Sequence, residues 1–138
     1  MRSRALAFRL TGIGSCLTAL AISSFGILGP STERFLIRVD SITAARVVAA
    51  NDTLSAHFYG KIGPDGCWRL AGTDRQANSA KLDVTFHGEH VVRSGYACTA
   101  MPVALNQVEI VAPPLGSPFT IAVHQPDGSV LRRVVTVQ

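Results

Sequence analysis

Beyond residue 31 the apolar positions of this chain recur at every second residue, and no segment keeps a 3.6-residue apolar period over three turns. In Thr53–Ile62, Leu54, Ala56, Phe58 and Ile62 fall on one side, with Ser55, His57 and Lys61 on the other. Leu82, Val84 and Phe86 alternate with Lys81, Asp83 and Thr85, and Phe119, Ile121 and Val123 with Thr120, Ala122 and His124. Val108, Ile110 and Ala112 alternate with Gln107, Glu109 and Val111, which predicts that Val108 and Ile110 face a core and Glu109 faces solvent. Val130–Val137 is a β-branched run with apolar residues on both faces except at Arg132, Arg133 and Thr136. Each pattern predicts a strand with one buried and one wet face.

Turn chemistry divides the runs. Asn51-Asp52, Gly63-Pro64-Asp65-Gly66, Arg75–Ser79, Pro113-Pro114-Leu115-Gly116 and Pro126-Asp127-Gly128-Ser129 combine residues that supply positive φ, a fixed φ or a local side-chain bond to the backbone. The last of these predicts a hairpin between the two final strands. About seven short strands in roughly 100 residues make the expected fold class all-β, a two-sheet antiparallel sandwich. Phe35–Arg38 reads as a first edge strand or as linker. The expected organisation is a leader over 1–30, a linker or edge strand over 31–40 and the sandwich over 41–138.

The leader breaks this pattern. Arg2, Arg4 and Arg9 precede Leu10–Leu28, nineteen residues without a charge, and Gly29-Pro30 ends the stretch. As a helix it would extend about 28 Å, near the hydrocarbon thickness of a bilayer. Three readings of this hydrophobic leader helix stand side by side. It is a signal peptide cleaved near Ala19-Leu20-Ala21, an uncleaved anchor over 10–28 with its arginines in the cytoplasm, or a lipoprotein leader in which Ile13-Gly14-Ser15-Cys16 carries a lipid on Cys16. All three deliver residues 31–138 outside the cytoplasm, to the periplasm or the outer face of a membrane.

Charge changes its meaning once the leader is set apart. The whole chain of 138 residues carries +4, but from Ser31 onward ten basic residues meet all nine acids. The body is therefore close to neutral, and the only basic doublet in it, Arg132-Arg133, points to opposite faces of a strand. No nucleic acid is expected as a partner, because a binding face needs clustered basic residues with stacking aromatics. The doublet is expected to guard a terminal strand against edge-to-edge pairing.

Cysteine usage points to the same compartment. With Cys16 in the leader, Cys67 and Cys98 remain as an even pair, which an oxidising compartment would join; free thiols or a metal pair lack any Cys-x-x-Cys spacing. Closing that 32-residue loop removes about 3.7 kcal/mol of chain entropy from the unfolded state in the loop-closure model. The neighbouring Trp68 is expected to pack on the bridge.

The order of motifs also carries a resemblance. Gly63-Pro64-Asp65-Gly66-Cys67-Trp68 is followed by Ala97-Cys98-Thr99-Ala100-Met101-Pro102-Val103, then Val108-Glu109-Ile110 and Pro114-Leu115-Gly116-Ser117-Pro118-Phe119-Thr120-Ile121-Ala122-Val123. Over about residues 41–125 this is similar to a family of small exported bacterial immunoglobulin-like domains, often found in lipoproteins and without an assigned function. The resemblance implies an immunoglobulin-like sandwich and a Cys67–Cys98 pair. Ser117-Pro118-Phe119 departs from the Gly-x-Tyr of the family's last strand while keeping an aromatic anchor. The family supplies no catalytic residues.

Little else in the chain suggests chemistry. There is no Gly-x-Ser-x-Gly elbow, Walker loop, calcium-binding loop or His-Glu-x-x-His, so no catalytic residue and no cofactor are expected. His87-Gly88-Glu89-His90 is the one arrangement with metal-ligand character. Its two imidazoles could meet on one transition-metal ion if Gly88 made a turn, since i and i+3 in an extended strand face opposite ways. His57 and His124 read as surface histidines. The expectation is an exported, non-catalytic module acting in recognition or assembly on a protein or envelope component, with a small periplasmic metal-binding domain using His87 and His90 as the alternative.

Overall fold

The computed structural model describes residues 31–92 and 95–138, so the expectations placed on the leader, Cys16 included, lie outside the described residues. Nine strands and no helix are found among them: β1 (Ser31–Leu36), β2 (Val39–Ala44), β3 (Val47–Val48), β4 (Leu54–Gly63), β5 (Trp68–Ala77), β6 (Lys81–Val92), β7 (Val103–Val111), β8 (Phe119–His124) and β9 (Val130–Val137). They form two sheets that share one core. In the smaller, β4 lies between β2 and β7. In the larger, β6 is the organising strand. One of its edges pairs with β5, while the other is divided between β1, along 87–92, and β8, along 81–84; β9 and β3 follow β8. The β6–β8 and β3–β9 pairings are parallel, so the larger sheet is mixed rather than purely antiparallel.

The alternations read in β4, β6 and β8 set the core. Leu54 and Phe58 from the small sheet meet Leu82, Val84, Phe86, Phe119, Ile121 and Val123 from the large one, and Phe58 and Phe86 approach at 5.2 Å between ring centroids. Large apolar side chains buried in this way stabilise a fold by about 1.5–3 kcal/mol each. Residues 31–40 belong to the sandwich. Of the two readings of this stretch, linker or edge strand, the second describes β1, which pairs along β6, and Ile37 and Val39 beyond it are buried.

β7 corrects the expected phase. Leu105 (1% exposed) and Val111 lie inward, and this register turns Val108 and Ile110 (61% exposed) out to solvent. Because side chains alternate with period two, a one-residue difference in reading exchanges the faces. Glu109 therefore points to the inner side, where Arg75 meets it. A β-bulge between Leu70 and Gly72 shifts the phase of β5, placing Arg75 opposite the buried Val84. From there its Nε lies 3.0 Å from Glu109 Oε2 and its Nη2 donates to the Ile110 carbonyl at 2.8 Å. One guanidinium thus bridges the free edges of the two sheets on this side.

Gln125 performs a related task on the other side. Its side chain is buried, its Oε1 accepts from Val39 N–H and its Nε2 donates to the Val39 carbonyl, both at 3.1 Å. An amide thus takes the place of a neighbouring strand's backbone. The expected hairpin at Pro126–Ser129 is present, with Gly128 at φ +79° and Asp127 Oδ1 accepting from both the amide and the hydroxyl of Ser129.

Candidate functional site

The turn from β4 to β5 builds one end of the molecule. Asp65 Oδ1 accepts from Cys67 N–H at 2.9 Å, a side-chain-closed turn of the kind Asp favours. Cys67 is bonded to Cys98 across a Cα–Cα distance of 5.4 Å. Backbone bonds reinforce the link: Gly66 N–H to the Thr99 carbonyl (2.9 Å), Met101 N–H to the same carbonyl (2.8 Å), and Val91 N–H to the Cys67 carbonyl (3.0 Å). The segment 95–102 has no regular structure, and the bridge ties it to the strands beside it.

An aromatic cluster lies against this turn. Trp68 packs edge-on to Phe35, with centroids 5.0 Å apart, and stacks with His90 at 4.3 Å and 14° between planes. Two glycines make room for it. A Cβ on Gly63 would overlap the Trp68 ring, and one on Gly88 would overlap the Phe35 ring. Gly88 is thus required for close approach within a continuous strand, where it pairs with both Phe35 and Leu70, and not for the turn that a His87–His90 metal site needs.

The strand does not bring the candidate ligands His87 and His90 together. Period-two geometry sends His90 toward Trp68 and His87 to the opposite face, where its Nε2 lies 2.7 Å from Asp74 Oδ2. His57 lies 3.5 Å from Ser55 Oγ and parallel to Tyr59 on the small sheet, and His124 lies 3.6 Å from Asp83. No two of the four histidines share a partner. Among the described residues the one group of three potential ligands close enough for an ion is Asp65, Cys67 and Cys98, and its two sulfurs are consumed in the disulfide. Of the arginine doublet, Arg132 is exposed while Arg133 turns inward with a buried, unpaired Nε; β3 covers β9 only at Thr136 and Val137.

The disulfide end exposes three large apolar side chains among polar ones such as Arg69. Val92 ends β6 next to the residue bonded to Cys67, Tyr96 (66% exposed) and Met101 (71% exposed) lie on either side of Cys98 in the chain, and Tyr96 borders a shallow pocket of 220 Å³ with Gly66, Cys67, Arg69 and Val91. That volume is below the range of about 300–1,000 Å³ usual for small-molecule sites. A second exposed apolar group, Tyr59, Val108 and Ile110, lies on the outer face of the small sheet because of the β7 register. Neither group stood out in the sequence. For the first, the spacing of Val92, Tyr96 and Met101 around Cys98 carries no periodicity. For the second, Leu105 and Val111, six apart, hold the decisive phase.

Several charged side chains of β5, β6 and β7 are paired, as Arg75 is with Glu109, and one pair lies outside the strands. Arg69 is bonded to Glu89, Lys81 Nζ lies 2.8 Å from Asp83 Oδ1, and Arg38 Nη1 lies 3.2 Å from Asp127 Oδ2. The Ser129 hydroxyl and amide, with Arg38 beside them, hold the Asp127 carboxyl below its ordinary value of 3.8. Comparison of the chain with family models, with characterised proteins and with solved structures finds no match.

Proposed function

We propose that residues 31–138 form an exported, non-catalytic immunoglobulin-like module that works by surface recognition or assembly at the cell envelope. The observation that carries this reading is the Cys67–Cys98 bridge, which fastens an irregular, apolar-surfaced segment to a β-sandwich. Such a bridge persists in oxidising compartments, and the charge distribution of the leader supplies a route there. Rigid scaffolds that present loops are a common basis for binding. The exposed apolar side chains Tyr96 and Met101 beside Cys98 favour contact over polar chemistry. The order of motifs around Cys67, Cys98 and Phe119 supports the immunoglobulin-like assignment.

A reporter enzyme that folds only after export, fused behind Gln138, tests the delivery. Activity is expected with the intact leader and lost when Arg2, Arg4 and Arg9 are deleted together with 10–28. A hydrolytic activity of the purified protein that disappears on replacing one polar side chain would overturn the non-catalytic reading.

A further inference from the structure

We propose that the disulfide end is a membrane-contacting face, seated on the lipid surface by Val92, Tyr96 and Met101 while the leader stays in the bilayer as an anchor. This deepens the export reading and rests on it. The argument starts from where the chain enters the fold. Ser31 pairs with Val92, at the end of β6. Val91 is bonded to the Cys67 carbonyl, and Gly66 to Thr99, so the turn at Cys67 and the segment carrying Tyr96 and Met101 lie at the same end. Only Gly29 and Pro30 separate Ser31 from the uncharged stretch 10–28. Three peptide steps from Leu28 to Ser31 reach at most on the order of 10 Å. With 10–28 retained in the bilayer, the leash holds this end of the sandwich at the membrane surface.

The residues found there suit that position. Tyrosine is enriched at membrane–water interfaces, where its ring is apolar and its hydroxyl stays wet. Methionine and valine add apolar area that water otherwise covers. The ionisable groups described around the face are Glu33, Arg34, Asp65, Arg69 and Glu89, with Arg69 already bonded to Glu89, and Arg93 follows Val92 in the sequence, so three acids stand against three bases. The contact is therefore apolar and interfacial and needs no anionic lipid, in keeping with a body close to neutral.

The test uses the full chain reconstituted in phosphatidylcholine vesicles, with or without bromine on the upper acyl chains to quench nearby indoles. Trp68 is kept as the common background. Tyr96→Trp adds an indole at the proposed face. Ile110→Trp adds one seven residues along β7 from Val103, about 23 Å away at the rise of a strand. The expected result is loss of most of the emission added by Tyr96→Trp and no loss of that added by Ile110→Trp. A chain that floats with the vesicles while neither added indole is quenched, or both equally, overturns the proposed face and leaves the anchor in place. An intact mass from cells that lacks the leader overturns the anchored seat while leaving export standing. A chain that does not float with vesicles removes the anchor and the proposal together.

Discussion

The inward phase of β7 makes a sharp energetic prediction, because it assigns opposite roles to two aliphatic side chains five residues apart on one strand. Leu105 is 1% exposed and belongs to the shared core, whereas Ile110 is 61% exposed on the outer face of the small sheet. Leu105→Ala removes buried methyl groups and leaves a cavity between close-packed sheets, at a cost of about 2–5 kcal/mol. Ile110→Ala removes side-chain atoms already in contact with water, and exposed positions change stability by about 0.5 kcal/mol. For a domain of this size each kcal/mol moves the melting temperature by about 4–8 °C. Leu105→Ala should therefore lower it by on the order of 10–40 °C, and Ile110→Ala by only a few degrees. Thermal unfolding followed by far-ultraviolet circular dichroism, checked by urea titration, reads both. Equal losses, or a larger loss for Ile110→Ala, would place Val108 and Ile110 in the core and refute the register.

Three further expectations follow from single groups. Gln125→Leu leaves the N–H and C=O of Val39 without partners in a buried setting and should cost about 2–3 kcal/mol by urea unfolding, whereas a change below about 0.5 kcal/mol would show that water replaces the amide. Gly88→Ala forces the Phe35 ring aside and should destabilise by about 1–3 kcal/mol, and Phe35→Ala in the same chain should absorb part of that cost in a double-mutant cycle. The Asp127 carboxyl titrates below its ordinary 3.8 because Ser129 and Arg38 favour its charged form, so its contribution is present above the unfolded value and is lost as pH falls through the folded one. Asp127→Asn should therefore flatten the melting-temperature profile below about pH 4, and an unchanged profile would count against the Ser129 bonds.

Much of the fold was legible where one face of a strand is uniformly apolar. Leu82, Val84 and Phe86, or Phe119, Ile121 and Val123, admit a single phase, and the core uses it. β7 was misread because it offers two apolar sets, Val103, Leu105 and Val111 against Val108 and Ile110. The choice depends on Arg75, a residue of another strand, meeting Glu109 on the inner side. β5 went unseen because Arg69, Asp74, Arg75 and Gln76 mask any alternation. It is an edge strand with a bulge, and its far half is exposed. His87-Gly88-Glu89-His90 offered a turn at Gly88 because the partners of its charge and imidazoles, Asp74, Arg69 and Trp68, lie on another strand. The cysteine pair was legible from counting alone. The apolar surface around it was not, since exposure depends on what the fold leaves uncovered.

The central claim is that a disulfide-locked sandwich works outside the cytoplasm, and differential alkylation of the native chain in its own cells tests this most directly. Free thiols are blocked with a light reagent before lysis, then the protein is reduced and labelled with a heavy one, and peptides containing Cys67 and Cys98 are quantified. The account predicts heavy label on both cysteines, in protein recovered with the envelope or the extracytoplasmic fraction. Light label on both, in protein recovered from the cytoplasm, would contradict it.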